Sequence, residues 1–476
     1  MLSGYLLWIT LAKIASPEII GTSSAAISIA TIFTTIAAIG IPSGVSRFLA
    51  RAFHEGSLDE AKMFVKDSIV LVTLGVLCSA FALFILNKWF YVTLENTLIY
   101  FTMLLLGASS MSRLLNSIVI ASLNTRIIPK IMLVVASVRT VLVIVLALLG
   151  AGPIGVLTGY ISFEMLASIL LAFTIFRMLR VEHKDRSLKK RNHSFKSVLN
   201  ASIPVWVPKL ITVLSGANLG TVIVFGSSGS AQAASYFLSY AVSSAVFAMV
   251  LPLFAIAYPA VAAMNDGRKR FTWRIIKISI IISLPLSSSV IFYSNDVMNL
   301  LGTHYADASI LLKLFLLAIL PNSISVMIGQ LFYAYGNYKQ VLYIGLASSI
   351  PTTILYFLLV PLLGSSGAAI SYLTGSITSC IFSALVARKI GMKIQWKDIL
   401  LIIIISFVPA ISFSYLHLNY ILGIISTVII SYVVFMKFNI INKSDVEDTL
   451  NVVPFGIAKP LKSLVHRIGK LLNNEY

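Results

Sequence analysis

The sequence predicts an all-α polytopic membrane protein with about fourteen transmembrane helices, on three observations. The first is composition. Of 476 residues, 58% are hydrophobic and 11% charged, against about 25% charged in a water-soluble domain. The second is residues 177–196, a polar stretch between two long apolar halves that carries Lys or Arg at 177, 180, 184, 186, 189, 190, 191 and 196. Such a block serves either a nucleic-acid surface or a cytoplasmic membrane loop. Apolar flanks on both sides favour the loop, so nucleic acid is not an expected partner. The third is where the net charge of +19 lies: it gathers in the connections between apolar blocks.

In chain order, residues 2–15 are apolar but short for a hydrocarbon layer of roughly 30 Å, which takes about 20 helical residues. Either this first helix is stunted or translation starts upstream. The segment lacks the basic start and small-residue cleavage site of a secretory signal. Longer apolar blocks follow over 22–46, 64–86, 97–119, 128–150 and 153–176, then, after the basic stretch, over 198–222, 231–263, 275–293, 308–335, 340–363, 366–387, 398–416 and 419–436.

Charge alternation fits that count. With the N-terminus inside, every second connection is cytoplasmic. Those connections hold Arg47, Arg51, Lys62 and Lys66; Arg126 and Lys130; the 177–196 set; Arg268, Lys269, Arg270 and Arg274; Lys339; and Arg388, Lys389, Lys393 and Lys397. The outside connections hold essentially Lys88, with Lys13 near an edge. The positive-inside rule then puts both termini in the cytoplasm and the chain in the cell (inner) membrane.

The two halves echo one another. Asn124 opens a helix that closes at Leu148-Leu149-Gly150, with Leu157-Thr158-Gly159 soon after. Asn337 opens one that closes at Leu362-Leu363-Gly364, followed by Leu373-Thr374-Gly375. The echo falls where a six-plus-six duplication would place it, and repeated halves with a central site are a common transporter plan.

Four stretches stand out in order along the chain: Ala12-Lys13 with Ser16-Pro17-Glu18 and Gly21; Ala38-Ile39-Gly40 with Arg47-Phe48 and Ala50; Leu301-Gly302, Tyr305, Ala308 and Leu311-Leu312; and Ala334-Tyr335-Gly336-Asn337. They resemble, respectively, the first loop, the end of the second helix, and the entry to and exit from helix ten of the polysaccharide-export flippases of the multidrug/oligosaccharidyl-lipid/polysaccharide (MOP) superfamily. The chain departs from the pattern in its truncated first helix, in Lys13 where arginine is usual, and in Ile20 where an aromatic residue is usual. The resemblance implies two six-helix lobes around a central cavity, in the arrangement of multidrug (MATE) transporters, plus two C-terminal helices. Residues 1–180 form the N-terminal lobe, 181–196 the basic cytoplasmic linker, 197–390 the C-terminal lobe, 391–440 helices thirteen and fourteen, and 441–476 a cytoplasmic tail. It also implies translocation of a polyprenyl-linked oligosaccharide to the outer leaflet by alternating access, by a monomer working in membrane lipid beside glycan-assembly enzymes.

The charged residues within the apolar blocks give the candidate site. Each costs about 2.5–3.5 kcal/mol at a helix centre, so it faces a partner or a wet cavity. They are Arg113 (helix four), Arg139 (five), Glu164 (six), Lys209 (seven) and Lys313 (ten). Four bases against one acid suit an anion, and a lipid diphosphate is one. Arg113 and Lys313 stand nearer helix ends, from where a long side chain also reaches the interface. Arg139 and Lys209 stand near mid-helix. Arg139 and Glu164 lie about eleven residues from the inner and outer starts of their helices, which at 1.5 Å per residue matches them in depth. They are expected to pair, either as a fixed aid to insertion or as a pair that opens when substrate or a proton binds.

Prolines gather in the second half. Pro204 and Pro208 share the helix over 198–222 with Trp206, Lys209 and Ser215-Gly216-Ala217, which reads as a bending gate or a static kink. In the tail, Leu461, Leu464, Val465, Ile468, Leu471 and Leu472 share one helical face and Lys459, Lys462, Arg467 and Lys470 lie mostly on the other. That pattern is a basic amphipathic helix for an anionic leaflet, or for docking on the protein's own loops. Cys78 and Cys380 sit in apolar blocks as small buried side chains. No metal-ligand spacing, phosphate-binding glycine loop or large soluble domain is present, so neither a cofactor nor enzymatic activity is expected. The functional reading is a flippase for a polyprenyl-(di)phosphate-linked oligosaccharide in cell-surface polysaccharide or glycoprotein assembly. The alternative is a cation or drug exporter of the same superfamily, which needs intramembrane acids where this chain offers chiefly Glu164. A membrane glycosyltransferase is disfavoured, because no outside connection is long enough to carry its catalytic loop.

Overall fold

The computed structural model describes residues 2–55, 57–89, 94–180, 195–438 and 440. Most of the basic stretch 181–196 and the whole of the 441–476 tail lie outside the described residues. The described chain is helical and divides into two compact units, one of Met1–Leu238 with Thr352–Tyr372, the other of Ser239–Pro351 with Leu373–Tyr476.

The first unit begins with a short helix α1 (Leu2–Ile14), followed by α2 (Pro17–Ala38), α3 (Ile41–Glu55), α4 (Leu58–Trp89), α5 (Asn96–Ala121), α6 (Ile127–Leu148) and α7 (Gly152–Arg180). Then come α8 (Phe195–Leu214), α9 (Ala217–Ser228) and the start of α10 (Ser230–Ala248). Local chemistry sets the ends of α2. Ser16 is extended, Pro17 opens the first turn and Glu18 meets the positive helix end. Ile39 (φ 44°) and Gly40 (φ 71°) then turn left-handed and stop it. Position 40 admits only glycine, since a Cβ there would overlap the Ser202 backbone of α8 in addition to the strain of positive φ. The apolar block read as one helix over 22–46 is therefore α2 plus the start of α3. Helix α3 is amphipathic, burying Ile41, Val45, Leu49 and Ala52 while Arg47 and Arg51 are exposed.

The second unit holds the rest of α10, then α11 (Leu251–Ala263), α12 (Arg268–Phe292), α13 (Ser294–Asn299), a 3-10 turn (Thr303–Ala308), α14 (Ser309–Leu317) and α15 (Ile319–Ala334). After these come the outer parts of α16 (Tyr338–Lys389), then α17 (Trp396–Tyr415) and α18 (Tyr420–Lys437). The last two pack on α12: Ser288 Oγ donates to the Ser406 carbonyl at 2.9 Å, and Lys277 pairs with Asp398 at 3.7 Å.

Among the described residues, ten helices are long and apolar enough to cross a membrane, or twelve if each bent pair counts as one span. The blocks read as single helices over 198–222 and 231–263 are those bent pairs. Helices α8 and α9 meet at 42°, and α10 and α11 at 59°. The first bend lies at Ser215–Gly216, where Gly216 is extended, and not at Pro204 or Pro208, which sit inside α8. The second lies just before Pro252, near the start of α11. Conversely, the blocks over 340–363 and 366–387 run together as α16, broken only by non-helical Gly364 (φ 58°).

The units part at Leu238, beyond the expected linker, because α8 packs on α2 and α3. The Trp206 indole donates to the Thr35 carbonyl at 2.8 Å, and Gly40 and Gly44 both lie against Ser202. Large apolar side chains face outward, among them Leu77, Phe81, Leu133, Phe173 and Phe357. That surface suits lipid and would be a liability in water. Many buried hydroxyls are satisfied within their own helices, as when Ser283 donates to Ser279 and Ser287 to Ser283 at 2.8 Å each. In hydrocarbon this removes the cost of an unpaired polar group and leaves small side chains at helix contacts.

Candidate functional site

The first unit gathers three of the four intramembrane bases and the one acid. Arg139, on α6, is buried, with 8% of its surface accessible. Its guanidinium lies over two rings of α7, 4.9 Å from the centre of Tyr160 and 4.8 Å from that of Phe163. Helix α1 closes the third side. A Cβ on Gly4 would sit 3.7 Å from Arg139 Nη2, and one turn on, buried Trp8 lies 6.2 Å from Tyr160 ring to ring. Trp8 is itself held edge-on by Phe237 of α10 at 4.7 Å. Helix α1 contributes Gly4 and Trp8 to this cage.

Arg139 Nε is buried and finds no hydrogen-bond partner among the described residues. No carboxylate pairs with the guanidinium there either. Cation–π contact with two rings offsets part of its desolvation, about 0.5–2 kcal/mol each. The donors themselves stay unspent, as they do where an anion is to be received.

Arg139 and Glu164 do not form the expected ion pair. Arg139 lies over the Tyr160 and Phe163 rings of α7 instead, while half-buried Glu164 is within electrostatic reach of Arg113 of α5. Arg113 is exposed, as is Lys209 of α8, and these two cations are in turn within electrostatic reach of each other. Two bases within electrostatic reach of each other, with one acid beside Arg113, raise a local positive potential that an anionic group relieves. Lys313 stands in the other unit, half-buried on α14.

Sequence reasoning missed Trp8, Tyr160 and Phe163. A signal existed: Tyr160, Phe163 and Glu164 lie at i, i+3 and i+4, one helical stripe. Asn116 of α5 was missed too; its Oδ1 is buried without a partner among the described residues. No group of three His, Cys, Asp or Glu side chains suited to a metal occurs among the described residues.

The arrangement yields a first expected result. In a double-mutant cycle followed by thermal melting, Arg113→Ala and Glu164→Gln should couple by about 0.5 kcal/mol, a value discounted for the exposure of Arg113. Arg139→Ala and Glu164→Gln should be additive. Strong coupling of Arg139 with Glu164 would contradict the aromatic seating of Arg139.

Comparison with known proteins locates this helical plan. A family model described as polysaccharide biosynthesis protein matches residues 1–265. No curated protein matches the sequence. Among solved structures, the lipid II flippase MurJ in an inward closed conformation is similar with a TM-score of 0.70 at 16% identity, over 92% of this chain and 97% of that one. An inward-facing multidrug resistance MATE family transporter of the MOP superfamily is similar with a TM-score of 0.63 at 15% identity, over 81% of this chain and 97% of that one. A mutant of the Vibrio cholerae MATE transporter VcmN is similar with a TM-score of 0.53 at 18% identity, over 82% and 98%. At these identities the likeness shows the fold.

Proposed function

Because the chain belongs to the polysaccharide biosynthesis protein family, we propose that it is a flippase, moving a polyprenyl-(di)phosphate-linked oligosaccharide from the inner to the outer leaflet by alternating access. The observation that carries this reading is the seating of Arg139: a buried cation with unspent donors and no acid beside it. Such a group repels an organic cation and receives a phosphate oxygen, and a guanidinium does so bidentately. Lys209 and Arg113 extend the positive surface where a second phosphate or a polar sugar would lie. The likeness to MurJ, a lipid II flippase, supports a lipid-linked cargo.

The reading carries further proposals. Ten apolar helices, the two bent pairs, a second crossing after Gly364 and the short α1 together supply fourteen helices, twelve in two lobes and α17–α18 beyond them. Both termini lie in the cytoplasm of an inner-membrane protein, as the basic connections favour. It works as a monomer, with membrane lipid around it and glycan-assembly enzymes supplying its cargo, and needs no cofactor. Lys313 joins the cargo-binding bases from its own helix.

A second reading, an exporter of organic cations, rests on the likeness to MATE transporters and on Glu164. One comparison separates the two. In proteoliposomes, Glu164→Gln should leave flipping of a lipid-diphosphate oligosaccharide within about threefold of wild type, because the acid is not a cargo contact in the flippase reading. If the same variant abolishes efflux of an organic cation while Arg139 and Lys209 prove dispensable, the exporter reading takes its place.

A further inference from the structure

The second unit carries a basic cavity lined by none of the bases placed in the candidate site. Two connections enclose about 700 Å³: the one between α11 and α12 together with the first turn of α12, and the one between α16 and α17. Arg268, Lys269, Arg270 and Lys393 line it, against a single acid, Asp266. That acid is engaged in its own turn, where its carboxylate accepts the Gly267 amide at 2.6 Å. Arg268 is engaged too. It donates from Nε to the Met264 carbonyl at 2.6 Å and lies 5.3 Å over the Tyr335 ring. Lys269, Arg270 and Lys393 make no ion pair or hydrogen bond among the described residues.

These three bases are held in place. Trp273 donates its indole N–H to Gln395 at 3.1 Å, tying one connection to the other. One turn deeper, the Lys277–Asp398 pair at 3.7 Å repeats the tie. The start of α12 lines the same space without a side-chain cap, so its free amides add to the positive potential.

The surroundings point to a lipid. Tyr335, Tyr338, Tyr343 and Trp396 are exposed at this end of the unit, as aromatic side chains are at the headgroup level of a bilayer. A second cavity of about 550 Å³ sets Arg388 and Lys389 above an apolar wall of Phe382 and Leu385. Free phosphate has use for the cations alone; an acyl-bearing phosphodiester uses the aromatic rim and the apolar wall as well.

We propose that this cavity binds a phosphate-bearing anion, the headgroup of an anionic membrane lipid, held by Lys269, Arg270 and Lys393 on the second unit alone. Basic pockets between helix ends on the cytoplasmic side are suited to such headgroups. A lipid seated there would bridge the α11–α12 and α16–α17 connections, staking both to the leaflet.

The test is native mass spectrometry of the detergent-solubilised full chain, titrated with dioctanoyl phosphatidylglycerol, with dioctanoyl phosphatidylcholine, and with phosphatidylglycerol in the presence of inorganic phosphate. Wild type is expected to retain phosphatidylglycerol in preference to phosphatidylcholine. The triple variant Lys269→Ala, Arg270→Ala, Lys393→Ala should lose about tenfold in apparent affinity. A Lys62→Ala, Lys66→Ala double variant, which removes two exposed cations of α4, should bind as wild type does. Should the triple variant fail to fold, Lys393→Glu alone, on an exposed connection, should lower affinity about threefold. Equal retention of phosphatidylglycerol by wild type and by the folded variants overturns the site. Displacement of the lipid by equimolar inorganic phosphate keeps the phosphate chemistry and overturns the lipid source.

Discussion

Arg139→Met is expected to leave the fold standing and to remove transport. Removing a buried, unpaired charge relieves its desolvation cost, and apolar replacement of whole buried ion pairs is neutral or stabilising by about 1–4 kcal/mol in other proteins. Loss of contact with Tyr160 and Phe163 works against that gain. The melting temperature in detergent should therefore shift by no more than a few degrees. Transport should fall much further. Truncating the charged partner of a buried hydrogen-bonded pair costs about 2–5 kcal/mol, and 2 kcal/mol is about thirtyfold in rate. A melting temperature that collapses in step with activity would reduce Arg139 to a structural role.

Lys209→Glu should be the most damaging change at the accessible end of the cluster. Lys209 is exposed and lies within electrostatic reach of Arg113. Solvent screens it, so Lys209→Ala is expected to lower flipping by only about tenfold, and Lys209→Arg should keep part of the activity. Reversing the sign does more than remove a contact. It places a carboxylate opposite the incoming phosphate and gives Arg113 a partner to close on. Flipping by Lys209→Glu should fall to the rate of empty vesicles, with protein yield in the membrane unchanged. Retained flipping by this variant would remove Lys209 from the cargo path.

The parts of the fold that could be read in advance are those that hydropathy controls. A run of about twenty apolar residues has one solution in a bilayer, so most spans, including α4–α7 and α17–α18, fall where the sequence placed them. Breaks inside such runs were not readable. Ser215–Gly216 and Met249–Val250 sit in stretches that stay apolar through the bend, and hydropathy carries no term for direction. Helix α3 was hidden because its amphipathic first turn adjoins the apolar end of α2. The internal echo has a backbone counterpart. Leu123 and Gly336, each just before the repeated asparagine, both have positive φ (61° and 70°), as do Gly150 and Gly364 (77° and 58°) at the repeated Leu-Leu-Gly.

At the site, the cost of a charge in hydrocarbon made Arg139 visible as a residue with a role. Its surroundings were not visible. Matching depth by counting residues from helix starts gives height in the membrane but not which neighbour a side chain meets. The sequence could say that a base and an acid share a level. It could not say that the base faces two rings and the acid another base. Trp8 was invisible for a different reason: a single aromatic residue in an apolar stretch carries no sign of the rings it meets on other helices.

The most direct test of the account follows a polyprenyl-diphosphate oligosaccharide in proteoliposomes, reading its accessibility to a membrane-impermeant reagent on each side. Vesicles holding the wild-type chain should equilibrate the lipid between leaflets well above the rate of empty vesicles, and vesicles holding Arg139→Met should not. Equilibration no faster than in empty vesicles, from a chain that moves an organic cation in a Glu164-dependent way, would contradict the account.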